Sequence, residues 1–317
     1  MNLVFNELSV NSVFINNNPI DIRKSICDFV RLLHCVNSKN IAGFDGFILV
    51  HDINTFGVPG NYGIKDWLKD SQVSQNHKQL FRTIINKSHY IRLDNFVNEF
   101  IVTISESTFS GIGLVYAAET DSSVLSIATD EIWLKNEIEG KHLQIDEDAN
   151  LISTDEKIRN IVDPDDIDKL EDDQRLTMCN QISSGQDLWE QRGLLFPNLV
   201  FCDGVKDQLY ADPERFHILR IMSRLKRLQE YFESCDDFYD AKDLGMDART
   251  ESETVKTNPD LKQMRCFKTP DGREEYFFDH IGFHGKFSGG RIHFLPHKDK
   301  NKCYIGYIGK HLPTKKF

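Results

Sequence analysis

No apolar run in the 317-residue chain approaches the roughly 20 residues needed to cross a bilayer, so no membrane-spanning helix and no membrane partner are expected. The opening MNLVFNELSV has no basic stretch leading into an apolar one, which is not the pattern of a secretory signal. There is no CxxC pair. The seven cysteines are scattered and odd in number, which points to reduced thiols in a cytoplasmic setting. Other absences exclude chemistry. The glycine-bearing loop from Asn54 to Gly63 is not followed by GK[ST], so it is not a phosphate loop. Ser105, Ser107 and Ser110 lie in no GxSxG elbow and read as a turn. Asp163, Asp165 and Asp168 lack the glycine and closing glutamate of a calcium loop.

What is present suits a protein with a substantial core: 40% hydrophobic and 11% aromatic residues in a length that accommodates two domains. The net charge of −11 argues against unspecific binding of nucleic acid by the whole surface, but the charge is unevenly spread. From Glu119 to Glu190 there are 20 acidic and 6 basic residues; from Lys256 to Phe317 there are 13 basic and 6 acidic. An acidic middle thus precedes a basic end; as a run of like charge it reads as solvated loop, and the other reading is that it shields or competes for the basic surface.

Pro19–Ile20–Asp21 opens a helix to about Val36, with Ile22, Ile26, Phe29, Val30, Leu33 and Val36 on one face. Phe47–Val50 reads as a buried strand, and Gly63–Leu68 and His77–Ile85 as short helices. From Phe96 the runs Phe100–Ile104, Ile112–Ala117, Val124–Ile127 and Ile132–Leu134, parted by polar turns, predict an antiparallel meander. The expected organisation is α+β: a mixed N-terminal domain over 1–140, an acidic linker over 141–192, and a basic C-terminal domain over 193–317. In the last, Leu195–Phe201 is a strand or its approach. Pro213 to Ser234 is a long helix with an apolar stripe, its Arg215, Arg220, Arg224, Lys226 and Arg227 on the other side, which reads equally as a solvated face or as one that touches phosphates. A hairpin turns at Pro270–Asp271–Gly272, and two more strands, Arg291–Leu295 and Cys303–Gly309, follow.

The segment from Phe278 to Thr314 holds five of the eleven histidines. Strict alternation places Arg291, His293 and Leu295 on one side of their strand and Ile292 and Phe294 on the side of the core. In the next strand it groups Tyr304, Gly306 and Ile308 against Ile305, Tyr307 and Gly309. The expectation is an open, basic sheet face carrying Arg291 and His293, with Lys310 and His311 at the exit of the last strand and Arg265, His280 and His284 converging on it. Such a face suits metal-free RNA cleavage. Histidines move protons near neutral pH, and arginine or lysine stabilises phosphorane-like charge. The candidate catalytic set is Arg291, His293, His311, Lys310 and His284, and the substrate-binding set is Arg265, His280, Lys286 and Tyr304. No metal and no cofactor are expected: His280 and His284 would coordinate together only on a helix, which the nearby glycines oppose, and Asp279 is the one carboxylate close in sequence. Two other readings stand beside this one: a non-catalytic face that docks a partner protein or DNA, and a metal-dependent DNase.

The helix Pro213–Ser234, the run Gly289–Gly290–Arg291–Ile292–His293–Phe294 and the run Tyr304 to Leu312 together resemble the RelE/ParE-like toxins, over about the last 120 residues. In that family a helical element precedes a small antiparallel sheet that presents basic and aromatic residues to RNA. The resemblance implies an endoribonuclease-type, RNA-binding domain in which Arg291, and Lys310 or His311, act on RNA. The chain departs from the family in being about three times the usual toxin length and in its extra histidine-rich loop. As a whole it resembles bacterial proteins encoded among mobile-element and phage-defence genes, which implies a cytoplasmic antiviral or toxin-like role and a protein partner in a defence complex.

Overall fold

The computed structural model describes residues 3–10, 19–38, 47–50, 53, 62–90, 98–104, 106–145, 151–171, 182–212, 215–234, 239–244, 248–283, 289–297 and 301–314. The chain is α+β and divides into two compact units, Met1–Gln181 and Ile182–Phe317. Among the described residues no helix is long and apolar enough to cross a membrane. Cys27, Cys35, Cys202, Cys266 and Cys303 are free thiols.

The N-terminal unit is built on an eight-stranded sheet. Its strands are β1 (Leu3–Phe5), β2 (Phe47–Leu49), β3 (His89–Tyr90), β4 (Glu99–Ile104), β5 (Ser107–Ser110), β6 (Ser123–Leu125), β7 (Glu137–Ile145) and β8 (Leu151–Ile161). They lie in the order β3-β2-β1-β6-β8-β7-β4-β5. The first five are parallel; β8 with β7, β7 with β4, and β4 with β5 are antiparallel. Helix α1 (Pro19–Ser38) lays the expected apolar stripe on the parallel strands, and Trp67 of α2 (Ile64–Lys69) and Phe81 of α3 (Gln75–Ile85) close the same core.

The expected meander is therefore corrected. Ile112–Ala117 is not a strand but part of helix α4 (Ile112–Thr120), and Ile132–Leu134 lies in a 3-10 turn. Residues 113 to 120 are all buried. A helix apolar all round carries no period to tell it from a buried strand. The stretch 141–192 also differs from a solvated linker. It contains the end of β7, all of β8 and helices α5 (Pro164–Glu171) and most of α6 (Gly185–Leu195), and the boundary between the units falls within it. In β8 the charges Asp155, Lys157 and Arg159 alternate with less exposed neighbours, so an acidic composition coexists with a two-sided strand.

In the C-terminal unit, strand β9 (Leu199–Phe201) leads through α7 (Gly204–Tyr210) into the long helix α8 (Arg215–Ser234); Pro213 lies outside the described residues. Leu195 belongs to the end of α6, not to the strand. Strand β10 (Ala248–Thr250), helices α9 (Glu253–Thr257) and α10 (Pro259–Gln263) and the hairpin β11 (Cys266–Lys268) and β12 (Glu274–Tyr276) precede three antiparallel strands. These are β13 (Asp279–Phe283), β14 (Gly290–Pro296) and β15 (Cys303–Lys310). The sheet order is β10-β13-β14-β15-β9, with β9 returning parallel to β15. The hairpin turn is as expected, with Gly272 at φ +88° and Thr269 N–H donating to the Arg273 carbonyl. Ile281, Ile292, Phe294, Ile305 and Ile308 are buried, and the ring of Tyr239 bridges Phe294 to Phe232 of α8. Arg220 and Arg224 of α8 do not lie on a solvated face. Both are buried: the Arg220 guanidinium sits over Phe216, and Arg224 Nε donates to the Gly282 carbonyl.

Candidate functional site

The other face of this sheet carries the polar residues. Strand register places Arg249, His280, His293 and Tyr307 opposite one another across β10, β13, β14 and β15. Partners in a ladder share a face, so these four form one row. Arg291 lies two residues along, opposite Gly282 and Gly309. Just past β10, the Glu251 N–H donates to the Phe278 carbonyl at 2.9 Å, which extends the β10–β13 pairing and brings its carboxylate beside His280.

A bulge between His293 and Phe294 breaks the alternation read from sequence. Opposite it β15 has one residue more: Tyr307 pairs with His293 and Ile305 with Phe294, leaving Gly306 between. Ile305 and Ile308 thus share the apolar face that simple alternation assigned to opposite sides. Gly306 meets the covering hairpin, and a Cβ there would lie 2.6 Å from Phe277 Cδ1 and 2.9 Å from Phe267 Cδ2.

The expected open face is in fact covered. His280 is 6% exposed, Arg291 3% and His293 1%. The Phe267 ring of β11 stacks on Tyr307 at 5.7 Å and packs edge-on to Phe277 at 5.5 Å. Arg265, fully buried, fastens the cover from beneath. Its Nε donates to Glu251 Oε1 at 2.8 Å, Nη1 to the Leu261 and Pro313 carbonyls, and Nη2 to the Leu312 carbonyl. One guanidinium thus ties the helical pair α9–α10 and the residues after β15 to the carboxylate. The polar face has enough apolar cover, from Phe267 and Phe277, to exclude water.

The histidine rings are oriented by the chain that precedes β13. His293 Nδ1 lies 3.1 Å from the Phe277 carbonyl, and His280 Nδ1 lies 3.4 Å from that of Phe278. A ring nitrogen facing a carbonyl carries the hydrogen, so in the neutral imidazole the lone pair is on Nε2. The ring centroids are 5.2 Å apart. Burial, then the neighbouring His280, holds His293 well below the ordinary imidazole value, so it is neutral at pH 7. Burial also pushes the Arg291 guanidinium down, to about 10, which leaves it charged at neutral pH. One ligand atom each from Glu251, His280 and His293 lies within 4.8 Å of the other two.

At the exit of β15 the face reaches the surface. Lys310 and His311 are exposed, and the His311 N–H donates to the Gly289 carbonyl beside Arg291. Partial desolvation, then the Arg291 charge, lowers the His311 pKa. Tyr304 is half-buried and packs edge-on to His297 at 5.1 Å, towards the far end of the strand. The fold therefore gathers Arg265, His280, Arg291 and His293 on one side of the sheet, with His311 at its mouth; Lys310, opposite Gly290, follows the parity of Ile308 and belongs to the other side, and Tyr304 lies apart. His284 and Lys286 lie outside the described residues. Sequence reasoning missed Glu251, which comes from 29 positions before His280 and has no local signature beyond the Ser252 cap that follows it.

The N-terminal unit has a buried polar cluster of another kind. Its parallel strands reverse order between β1 and β6, the place where open α/β sheets commonly take a ligand beyond the carboxyl ends. Here Asn6 Nδ2 donates to Ser126 Oγ, Ser126 Oγ to Asn160 Oδ1, and Asn160 Nδ2 to the Trp133 and Lys135 carbonyls. Ser9 Oγ donates to the Asn6 carbonyl and accepts from Ile127 N–H. Neutral groups fill the switch point and satisfy one another. Beside it, half-buried Glu7 accepts from Gly113 N–H at the start of α4, and desolvation raises its pKa.

Compared with known proteins, the chain matches no family model, no curated protein and no solved structure.

Proposed function

We propose that the C-terminal unit is a RelE-like effector domain that binds RNA and cleaves it by acid/base chemistry at the mouth of the polar face. The observation that carries this reading is the convergence of Arg265, His280, Arg291, His293 and His311 from four separate segments onto one side of a small sheet, with Lys310 and His311 on the surface. In this reading His311 is the accessible proton carrier, Arg291 stands behind it as a fixed positive charge, and the exposed Lys310 draws the RNA backbone to the end of the strand. A helical element before a small antiparallel sheet also agrees with the resemblance. Incubating the purified chain with labelled single-stranded RNA, with and without chelator, tests this. Salt-sensitive binding and cleavage that Lys310→Glu weakens and His311→Ala abolishes are expected. Intact RNA together with unchanged affinity in Lys310→Glu would end the reading.

The burial of Arg291 and His293 favours a second reading, in which the unit is a non-catalytic assembly subunit of a defence complex and the face serves to hold the hairpin and tail in place. It predicts binding of a partner protein or DNA that His311→Ala leaves unchanged.

A further inference from the structure

The strongest unassigned feature is the buried triad of Glu251, His280 and His293. We propose that these three side chains form a binding site for one divalent first-row transition ion of the zinc class. Two imidazoles and one carboxylate form a ligand set typical of such ions, whereas calcium and magnesium prefer all-oxygen shells. Their ligand atoms already lie within 4.8 Å of one another, so small side-chain rotations bring them to the bond lengths of about 2.0–2.2 Å that zinc requires.

The second observation is the layer behind the ligands. Metal-binding histidines characteristically donate the other ring N–H to a carbonyl or carboxylate, which fixes tautomer and orientation. Here both do so, His293 to the Phe277 carbonyl at 3.1 Å and His280 to the Phe278 carbonyl at 3.4 Å, so that Nε2 is the ligating atom in each. Glu251 is held the same way: its N–H is bound to the Phe278 carbonyl and its Oε1 to Arg265 Nε, leaving Oε2 to coordinate. Two adjacent carbonyls thus position both rings and the backbone that carries the carboxylate. The ligands come from β13, β14 and the residue after β10, rigid elements that fix their separation. The apolar rings of Phe267 and Phe277 beside the site provide the dry shell that strengthens metal–ligand bonds. Arg265 is a positioning residue, compensating the carboxylate and linking the site to Leu312 and Pro313.

The inference stands apart from the RNA reading, and its test uses no RNA. The full-length chain, stripped with chelator, is titrated with Co²⁺, followed by its visible d–d absorption, and then with Zn²⁺ in competition, with bound metal counted by mass spectrometry. One equivalent of Co²⁺ is expected, displaced by Zn²⁺. Glu251→Gln keeps an acceptor for Arg265 and should weaken binding at least 10-fold. His280→Asn should do the same, with circular dichroism used to establish that each variant is folded. A folded wild-type chain that takes up no Co²⁺, or one whose affinity and spectrum are unchanged in folded Glu251→Gln and His280→Asn, would overturn the proposal. If a variant fails to fold, NMR of the wild type decides: Zn²⁺ must shift the imidazole resonances of His280 and His293, and ring spectra unchanged by metal would also overturn it.

Discussion

Each unit buries a polar cluster against its sheet, and the two differ in kind. In the N-terminal unit the cluster is neutral, made of the amides and hydroxyls of Asn6, Ser9, Ser126 and Asn160, each satisfied by another or by backbone. In the C-terminal unit it is ionisable, made of Glu251, Arg265, His280 and His293 with Arg291 nearby. A neutral network fastens three parallel strands at modest desolvation cost. An ionisable one costs far more to bury, and each member must be compensated. Of the two, only the second has the groups to move protons, hold a metal or neutralise phosphate. The difference teaches where chemistry resides: a topological position that commonly takes ligands is sealed with amides, while a small antiparallel sheet concentrates the reactive side chains.

The comparison breaks most sharply at Arg265. Arg265→Ala strands the buried Glu251 carboxylate and releases the Leu312 and Pro313 carbonyls, and is expected to destabilise the C-terminal unit by about 3–5 kcal/mol. Denaturant unfolding followed by domain-resolved hydrogen exchange should show the loss in residues 182–317 and not in 1–181. The matching change in the neutral cluster, Asn160→Ala, leaves the Trp133 and Lys135 carbonyls and the Ser126 hydroxyl without that partner. It should cost about 2–3 kcal/mol in the N-terminal unit, read by the same exchange experiment. Gly306→Ala drives a methyl into Phe277 and Phe267. A cost of about 1–3 kcal/mol is expected, with increased solvent exchange at His280 and His293 by NMR as the hairpin lifts.

Acid should separate the units by sign. The His293 pKa is depressed on folding, so the unfolded chain binds the proton first; its contribution is complete above pH 6.5 and falls as pH drops, by about 1.4 kcal/mol per unit for one group. The Glu7 pKa is raised on folding, so its contribution is complete below pH 4.5 and falls as pH rises through the folded value. Lowering pH from 7.5 to 5 should therefore weaken the C-terminal transition, and His293→Asn should flatten that slope. Glu7→Gln should flatten the opposing slope in the N-terminal unit.

Elements with an uninterrupted local signal were legible. The amphipathic stripe of α1, the extent of the long helix α8, the Pro–Asp–Gly hairpin and the strands carrying Arg291 and Tyr307 stand where periodicity and turn chemistry put them, whereas Arg220 and Arg224 of α8 are buried against the expected stripe. Helix α4 was not, because burial on every side erases the period. The parallel order of β1, β2, β3, β6 and β8 was not either, since nothing local distinguishes a strand's neighbours. For the site, the polar row was legible through Arg291 and His293, but its cover and its carboxylate were not.

By itself the sequence determined which residues are reactive and on which strands they lie, because side-chain identity and a period of two are local properties. The tertiary structure alone decided that the face is closed, that a bulge at His293 brings Ile305 and Ile308 together, and that Glu251 meets His280 and His293. These outcomes depend on strand pairing across tens of residues and on one guanidinium that gathers two distant carbonyls and a carboxylate, contacts that no local pattern in the chain encodes.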